Sequence, residues 1–438
     1  MIPSRPASLD VWLPRLAVGL LAMAFITGGG SMDRGWGDVA TQLLALPVIV
    51  LAVMRLLQPP VARSRWIVLA IAALGPATVA AQWLLGTTAS PWATERALYA
   101  WLPPVAAFLA ALAVPFPSRR LGLQWLAGLA CASLVLACLQ LAAPQDSLLN
   151  PFPDLKPMFT GLFANPNHQG TALAIGAVLL LSGATASPRE EQGRWVAMRY
   201  VRIALGVLLL LALPFTGSRA MVLIGAAAVI ALPLVGGWLG RKWRHRHGRR
   251  QVLVLGGAGL AGLVLVLWIA MGWMRVDRME QGRSVMAAAT TALAVEAMPA
   301  GIGAGAFVPW FDAHIPEPML QYNYINHAHN EYLQWWLEGG VAGLAWSLLL
   351  LAGFIWACPR PDARGHRPDA AWVGSWLGVA CLLAHSVVDY PMRTPALATA
   401  GAWMAAVAIA SRLRQRQRRK TEQARPDPSP SVPVSPRP

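Results

Sequence analysis

Residues 325–344 read INHAHNEYLQWWLEGGVAGL, and the chain continues AWSLLLL through residue 351. Two histidines, an asparagine and a glutamate stand directly against a long apolar run. A run of about 20 apolar residues is long enough to cross a bilayer as a helix. Such runs recur from one end of the 438 residues to the other; 56% of the chain is hydrophobic and only 13% is charged. A soluble protein carries roughly 25% charge. The mean hydropathy is +0.48. The runs are continuous and do not alternate, which excludes a β-barrel. The composition therefore predicts an all-α polytopic membrane protein.

Segmentation by apolar runs gives about 12 transmembrane helices, near 11–29, 38–55, 66–86, 97–115, 121–142, 168–187, 200–216, 219–239, 251–273, 332–357, 371–388 and 395–411. The first run has no small-residue cleavage site and reads as a retained span. Cys131, Cys138, Cys358 and Cys381 lie in or at the ends of spans and read as small core residues, not as a disulfide framework or metal site.

The formal charge of +16 invites a nucleic-acid reading. Its distribution points to the membrane surface instead. With the N-terminus inside, the inner segments hold 28 of the 36 Lys and Arg. That asymmetry predicts that both termini are cytoplasmic. RKWRHRHGRR (241–250) and RLRQRQRRK (412–420) read as anchors on anionic membrane lipid. The expected organisation is spans one to nine over 1–273, a large outer loop over 274–331 carrying short helices between spans nine and ten, and spans ten to twelve over 332–411. A basic, Pro-rich, disordered cytoplasmic tail follows over 412–438.

The outer face keeps eight cations: Arg34, Arg96, Lys156, Arg219, Arg275, Arg278, Arg283 and Arg393. Within the large loop, residues 283–298 are helix-prone and read as a short interfacial helix, ended by Pro299 and by Gly301, Gly303 and Gly305. These glycines permit a tight turn, or close approach of backbone to a ligand. His327, His329, Asn330 and Glu331 fall at the outer mouth of span ten. GLFANPNHQG (161–170), TGSRA (216–220) and HSVVDYPMR (385–393) fall on the same side. Topology alone thus gathers four polar clusters on one face. Glu338 should face the bundle interior or a water-filled pocket, because a carboxylate on lipid is costly.

A membrane enzyme facing outward has no ATP, so the energy must arrive within the substrate. Polyprenyl-pyrophosphate glycans are such substrates. Arginine binds phosphate oxygens bidentately and stays charged. Histidine, as a residue type, suits proton removal from an attacking hydroxyl. Arginines that neutralise a pyrophosphate leave no requirement for a metal ion, and no cofactor is implied.

The motifs NPNHQG, TGSRA, GR followed by a helix and then P-x-G-I-G-A-G-A-F, and HAHNEYLQWWLEGGVAGL together resemble the O-antigen ligase/polymerase superfamily, membrane glycosyltransferases of the GT-C type. The resemblance runs over roughly 160–395. It implies an undecaprenyl-pyrophosphate-linked glycan donor and an acceptor that is lipid A-core, for a ligase, or another lipid-linked glycan, for a polymerase. It implies a bacterial inner-membrane location with the active site facing the periplasm, and an inverting, metal-independent transfer. Arg219 and Arg283 resemble the arginines that hold the donor pyrophosphate. His329 resembles the histidine that assists the acceptor hydroxyl, as base or as positioning group. Asn165, Asn167, His168, His327, Asn330 and Asp389 are further candidates for substrate contact. Against each stands a plainer role: helix capping for Asn165, Asn167, His168 and Asn330, an i,i+4 structural pair for His385 and Asp389, snorkelling for Arg219. Trp335 and Trp336 read as interface anchors. The competing class is a multispanning transporter or lipid flippase, which would carry its key polar groups at mid-membrane depth.

Overall fold

The fold is that of a computed structural model, which describes residues 7–31, 36–58, 63–144, 147–152, 159–185, 192–236, 278–314, 325–362 and 366–423. Among these residues the architecture is all-helical, with no strand. The helices are α1 (Ala7–Thr27), α2 (Trp36–Leu56), α3 (Arg63–Leu84), α4 (Pro91–Ala100), α5 (Leu102–Ala113), α6 (Phe116–Ala142) and α7 (Pro166–Gly183). They continue with α8 (Gln192–Ala212), α9 (Arg219–Val235), α10 (Arg278–Glu296), α11 (Phe307–Ala313), α12 (Glu331–Trp356), α13 (Ala370–His385) and α14 (Pro395–Gln423).

Among the described residues, eight helical stretches are long and apolar enough to cross a membrane, α4 and α5 counting together as one. Helices α9 and α13 are apolar but shorter. The span expected at 251–273, the basic loop at 241–250 and the Pro-rich residues after 423 lie outside the described residues.

Two expectations change. The span expected at 97–115 is two helices broken at Trp101. Pro103 and Pro104 open the second helix, and proline supplies no backbone N–H for the helix before it. The basic stretch 412–420 was expected in a disordered tail, yet α14 runs on as helix to Gln423. Its arginines are good helix formers and no proline interrupts them.

Small residues let the helices approach closely. Ala106, Ala107, Ala110 and Ala111 of α5 are buried, as are Ala396, Ala400 and Ala406 of α14, and the two helices pack on each other. Such faces replace the hydrophobic drive that lipid surroundings remove. Helix α7 packs on α13, α8, α6 and α9, and α10 packs on α12.

Helix α12 carries the feature that shapes its polar mouth. Gly340 is non-helical, with φ 56 and ψ −140, a conformation that L side chains resist. The turn after α10 fills the break. Ile302 N donates to Leu337 O at 3.0 Å, Gly303 N to Glu338 O at 3.0 Å, and Val341 N to Pro299 O at 3.0 Å. Gln82 of α3 adds donations to Ala300 O and Glu338 O. The carbonyls freed by the break are thereby satisfied, as buried backbone requires. The Gly301–Gly305 segment thus approaches the backbone of another helix.

Candidate active site

The starts of α7, α12 and α14 and the end of α13 meet at one end of the bundle. Each start is held by local chemistry. Asn165 caps α7, its Oδ1 accepting from Asn167 N at 2.8 Å. Asn330 caps α12, its Oδ1 accepting from Tyr332 N and Leu333 N, both at 3.1 Å. An asparagine in this position satisfies amides that the first turn leaves free. The residue before Asn330 is His329, with φ 49, the one non-glycine residue of positive φ among those described. Holding histidine in this sparsely populated region costs about 1–3 kcal/mol. The surrounding contacts therefore dictate where its ring lies.

The centre of the cluster is Asp389, buried on the short link between α13 and α14. Its Oδ1 is 3.3 Å from His329 Nδ1 and 3.9 Å from His168 Nε2; its Oδ2 is 3.7 Å from His385 Nε2. Asn167 Nδ2 donates to Oδ2 at 2.7 Å. Burial pushes the carboxyl up, but the close His329 imidazole and the facing His168 and His385 rings outweigh it and hold Asp389 well below the ordinary carboxylate range. Asp389 is an anion at physiological pH.

Tyr390 is a spacer between the rings. His327, His329 and His168 lie 4.2, 4.9 and 5.0 Å from its ring centroid. Its hydroxyl accepts from Asn326 Nδ2 at 3.2 Å and Asn165 Nδ2 at 3.4 Å. Thr171 Oγ1 is 2.8 Å from His385 Nδ1.

A second buried network lies beneath His327. Arg393 donates through Nε to Glu331 at 3.1 Å and through Nη1 to Glu338 at 2.8 Å. Gln334 donates to Glu338 Oε1 at 2.9 Å and accepts from Ala328 N at 3.1 Å. These two partners fix the orientation of the Gln334 amide. Its Nε2 then donates to His327 Nδ1, 3.2 Å away, which leaves the His327 proton on Nε2. Burial and the Arg393 charge hold His327 well below the ordinary imidazole range, so it is neutral.

Seven of the predicted residues therefore converge: Asn165, Asn167, His168, His327, His329, Asn330 and Asp389. The expected His385–Asp389 pair is part of the same cluster. Arg283, half-buried on α10, lies near enough for its charge to bear on His385 and Tyr390. Arg219 opens α9 after the TGSRA turn, in which buried Thr216 Oγ1 accepts from Ser218 N. Two residues on, Met221 lies against Gly170 of α7, so Arg219 starts at the His168 end of that helix.

Two readings are revised. Glu331, placed by the sequence only at the mouth of span ten, binds Arg393 and Met392 N, because its helical position turns it toward the α13–α14 link. Trp335 packs inward against Trp101 and Trp346 and does not act as a surface anchor. Arg393, which the sequence showed only as one outer cation among eight, is the hub of the second network. Its signal was the arginine four residues beyond Asp389 on a cation-poor face. Among the described residues, no group of three or more His, Cys, Asp or Glu is arranged to hold a metal ion.

No curated protein matches the chain. The sequence model of the family described as O-Antigen ligase matches residues 204–348, a stretch that includes Arg219, Arg283, His327, His329 and Asn330. That family is one of membrane glycosyltransferases. The resemblance drawn from TGSRA and HAHNEY is thereby supported independently: residues 204–348 are similar to the O-antigen ligase family.

Proposed function

We propose that this protein moves a glycan from undecaprenyl pyrophosphate to an acceptor hydroxyl, with inversion, on the periplasmic side of the bacterial inner membrane. One observation carries the reading. His329 is held 3.3 Å from a buried carboxylate by a backbone that only surrounding contacts could enforce. The pair stands where α7, α12 and α14 begin, beside the Arg283 charge.

The chemistry follows from that pairing. Asp389 faces Nδ1 of His329, which favours the tautomer with its proton on Nδ1 and leaves Nε2 as acceptor. The His329 side chain is 24% exposed, so the free edge is reachable. The acceptor hydroxyl gives its proton to Nε2 as its oxygen bonds to the anomeric carbon. The bond from that carbon to the pyrophosphate oxygen breaks on the opposite face, and its electron pair leaves with the pyrophosphate. Arg219 and Arg283 would stabilise the charge growing there, which is the task that distinguishes transition state from ground state.

The test is transfer from a lipid-pyrophosphate glycan in proteoliposomes. Arg219→Ala, Arg283→Ala and His329→Ala should each fold and insert. His329→Ala should lower turnover by about 10²–10⁴-fold, the range of general acid–base catalysis. Full activity in all three variants would refute the mechanism. The acceptor separates ligase from polymerase: lipid A-core in the first case, a lipid-linked glycan in the second.

A further inference from the structure

Residues 412–423 close α14 with six cations against one acid, Glu422. Arg412 stands roughly 25 Å along the helix from Pro395 at the helical rise, so this end is far from the imidazole cluster and has no part in the mechanism above. The cations divide between two faces. Arg414 lies over Phe116 at 4.2 Å, and the charges of Asp369 and Arg418 bear on it. Arg412, Arg416 and Arg419 follow one another at i, i+4 and i+7 on a different face. There the charges of Arg416, Arg419 and Arg360, the last from the link between α12 and α13, all bear on Arg412.

Arg412 is 6% exposed. Its Nη1 donates to Gln415 Oε1 at 2.8 Å, and its buried Nε has no partner. Gln415 donates in turn to Arg360 O at 2.7 Å, and Arg419 to Pro361 O at 3.1 Å, which ties the link onto α14. Among the described residues, Arg360, Arg412, Arg416 and Arg419 take part in no ion pair. Asp362, the acid next to Pro361, faces His366 at 2.7 Å. A buried guanidinium crowded by three like charges is costly unless an anion stands beside it. Phosphate suits that place, because the guanidinium fork meets its oxygens in pairs. The surroundings are apolar. Arg412 and Arg416 lie over Trp356 at 6.0 and 5.3 Å, and Trp356, Leu413 and Ile409 line one end of a mainly apolar cavity of about 1510 Å³. Trp372 and Trp376 of α13 donate to Ala357 O and Phe354 O at 2.8 and 2.9 Å, as amphipathic rings do at a membrane–water interface. A free phosphate would leave this wall uncovered, whereas a phosphodiester with acyl chains covers it.

We propose that this end of α14 binds an anionic glycerophospholipid, with its phosphate on Arg360 and Arg412 and an acyl chain against Trp356, Leu413 and Ile409. In the orientation that the cation count predicts, the lipid belongs to the cytoplasmic leaflet. The site differs from the diffuse attraction of a basic stretch to a charged surface, since it uses one face of the helix and a cation from another link. It is independent of glycan transfer.

The test follows the melting temperature of the full chain, in a neutral detergent, against added lipid. Phosphatidylglycerol should raise it in a saturating manner, as a ligand of the folded state does. Phosphatidylcholine, whose choline cancels the phosphate charge, should not. Arg360→Gln and Arg412→Gln should each weaken the apparent Kd for phosphatidylglycerol about tenfold, the loss of one charge-assisted contact. Arg360 is exposed and Gln415 holds its backbone carbonyl, so the first variant keeps the fold. Arg418→Gln removes the same charge from an exposed position on the same helix, and its Kd should stay within about twofold of wild type. Four results would each overturn the assignment. Phosphatidylglycerol might leave the melting temperature unchanged, or phosphatidylcholine raise it equally. Inorganic phosphate matching the lipid would indicate a free-anion site. Arg418→Gln weakening binding as much as Arg360→Gln would indicate diffuse charge alone.

Discussion

The two ends of α14 treat charge in opposite ways. At its start, Arg393 is locked between Glu331 and Glu338, and Asp389 is ringed by imidazoles. At its far end, Arg412 and Arg416 lie over Trp356 at 6.0 and 5.3 Å, and Arg414 lies over Phe116 at 4.2 Å. Gln415 and Arg419 donate to the backbone carbonyls of Arg360 and Pro361. The first arrangement fixes each group to one position, at the expense of desolvation. The second buries Arg412 with no carboxylate beside it and leaves Arg416 exposed, able to reach water or lipid phosphate while its stem covers apolar surface. Residue type is thus a poor guide to role in this chain; what distinguishes the arginines is whether a carboxylate is buried with them.

The sharpest way to break the comparison is to remove one buried partner. Glu338 has no solvent exposure. Glu338→Ala leaves the Arg393 guanidinium with Glu331 as its one remaining carboxylate and deprives Gln334 of an acceptor. Breaking a buried pair costs about 3–5 kcal/mol. Thermal unfolding in detergent should show that loss, and Glu338→Gln, which keeps an acceptor oxygen, should recover part of it. Equal stability of Glu338→Ala and wild type would mean that the two ends of α14 do not differ in the way described.

A smaller effect concerns pH. The carboxyl of Asp389 is depressed in the folded protein from an ordinary 3.8. A depressed acid stabilises the fold fully above its unfolded pKa, and this stability is lost as pH falls through the folded value. The Asp389 contribution, about 2 kcal/mol for a charge-assisted set of hydrogen bonds, should therefore be complete from about pH 5 upward and drain below pH 3.8. Asp389→Asn should flatten the acid limb of a melting-temperature curve. A limb unchanged in this variant would show that other carboxylates carry it.

Much of this arrangement was legible in the chain because helix starts announce themselves. Asn165 and Asn330 each precede an apolar run, and each turned out to cap a helix. The segregation of His327, His329 and Asp389 to one end needed only the count of spans between them. Other parts were not legible, for a physical reason. Glu331 and Glu338 meet an arginine 62 and 55 residues away, and no local pattern encodes which of eight scarce cations will be buried between them. The break in α12 was equally hidden. Gly339 and Gly340 are ordinary in a membrane helix, and only the insertion of the 299–305 turn shows why one of them must adopt φ 56. The division at Trp101 was readable from Pro103 and Pro104, but the apolar run across it masked the signal.

The smallest expected effect completes the contrast. Arg416 is exposed, with its guanidinium over Trp356. An exposed cation–π contact contributes about 0.5–1 kcal/mol, and α14 continues on both sides of the residue. Arg416→Gln removes the charge and keeps a good helix former. Melting temperature should fall by no more than that contact's share, and glycan transfer should stay within about twofold of wild type. A loss of activity as large as that of His329→Ala would place chemistry at both ends of α14. The contrast between caged and solvated arginines would then no longer separate catalysis from anchoring.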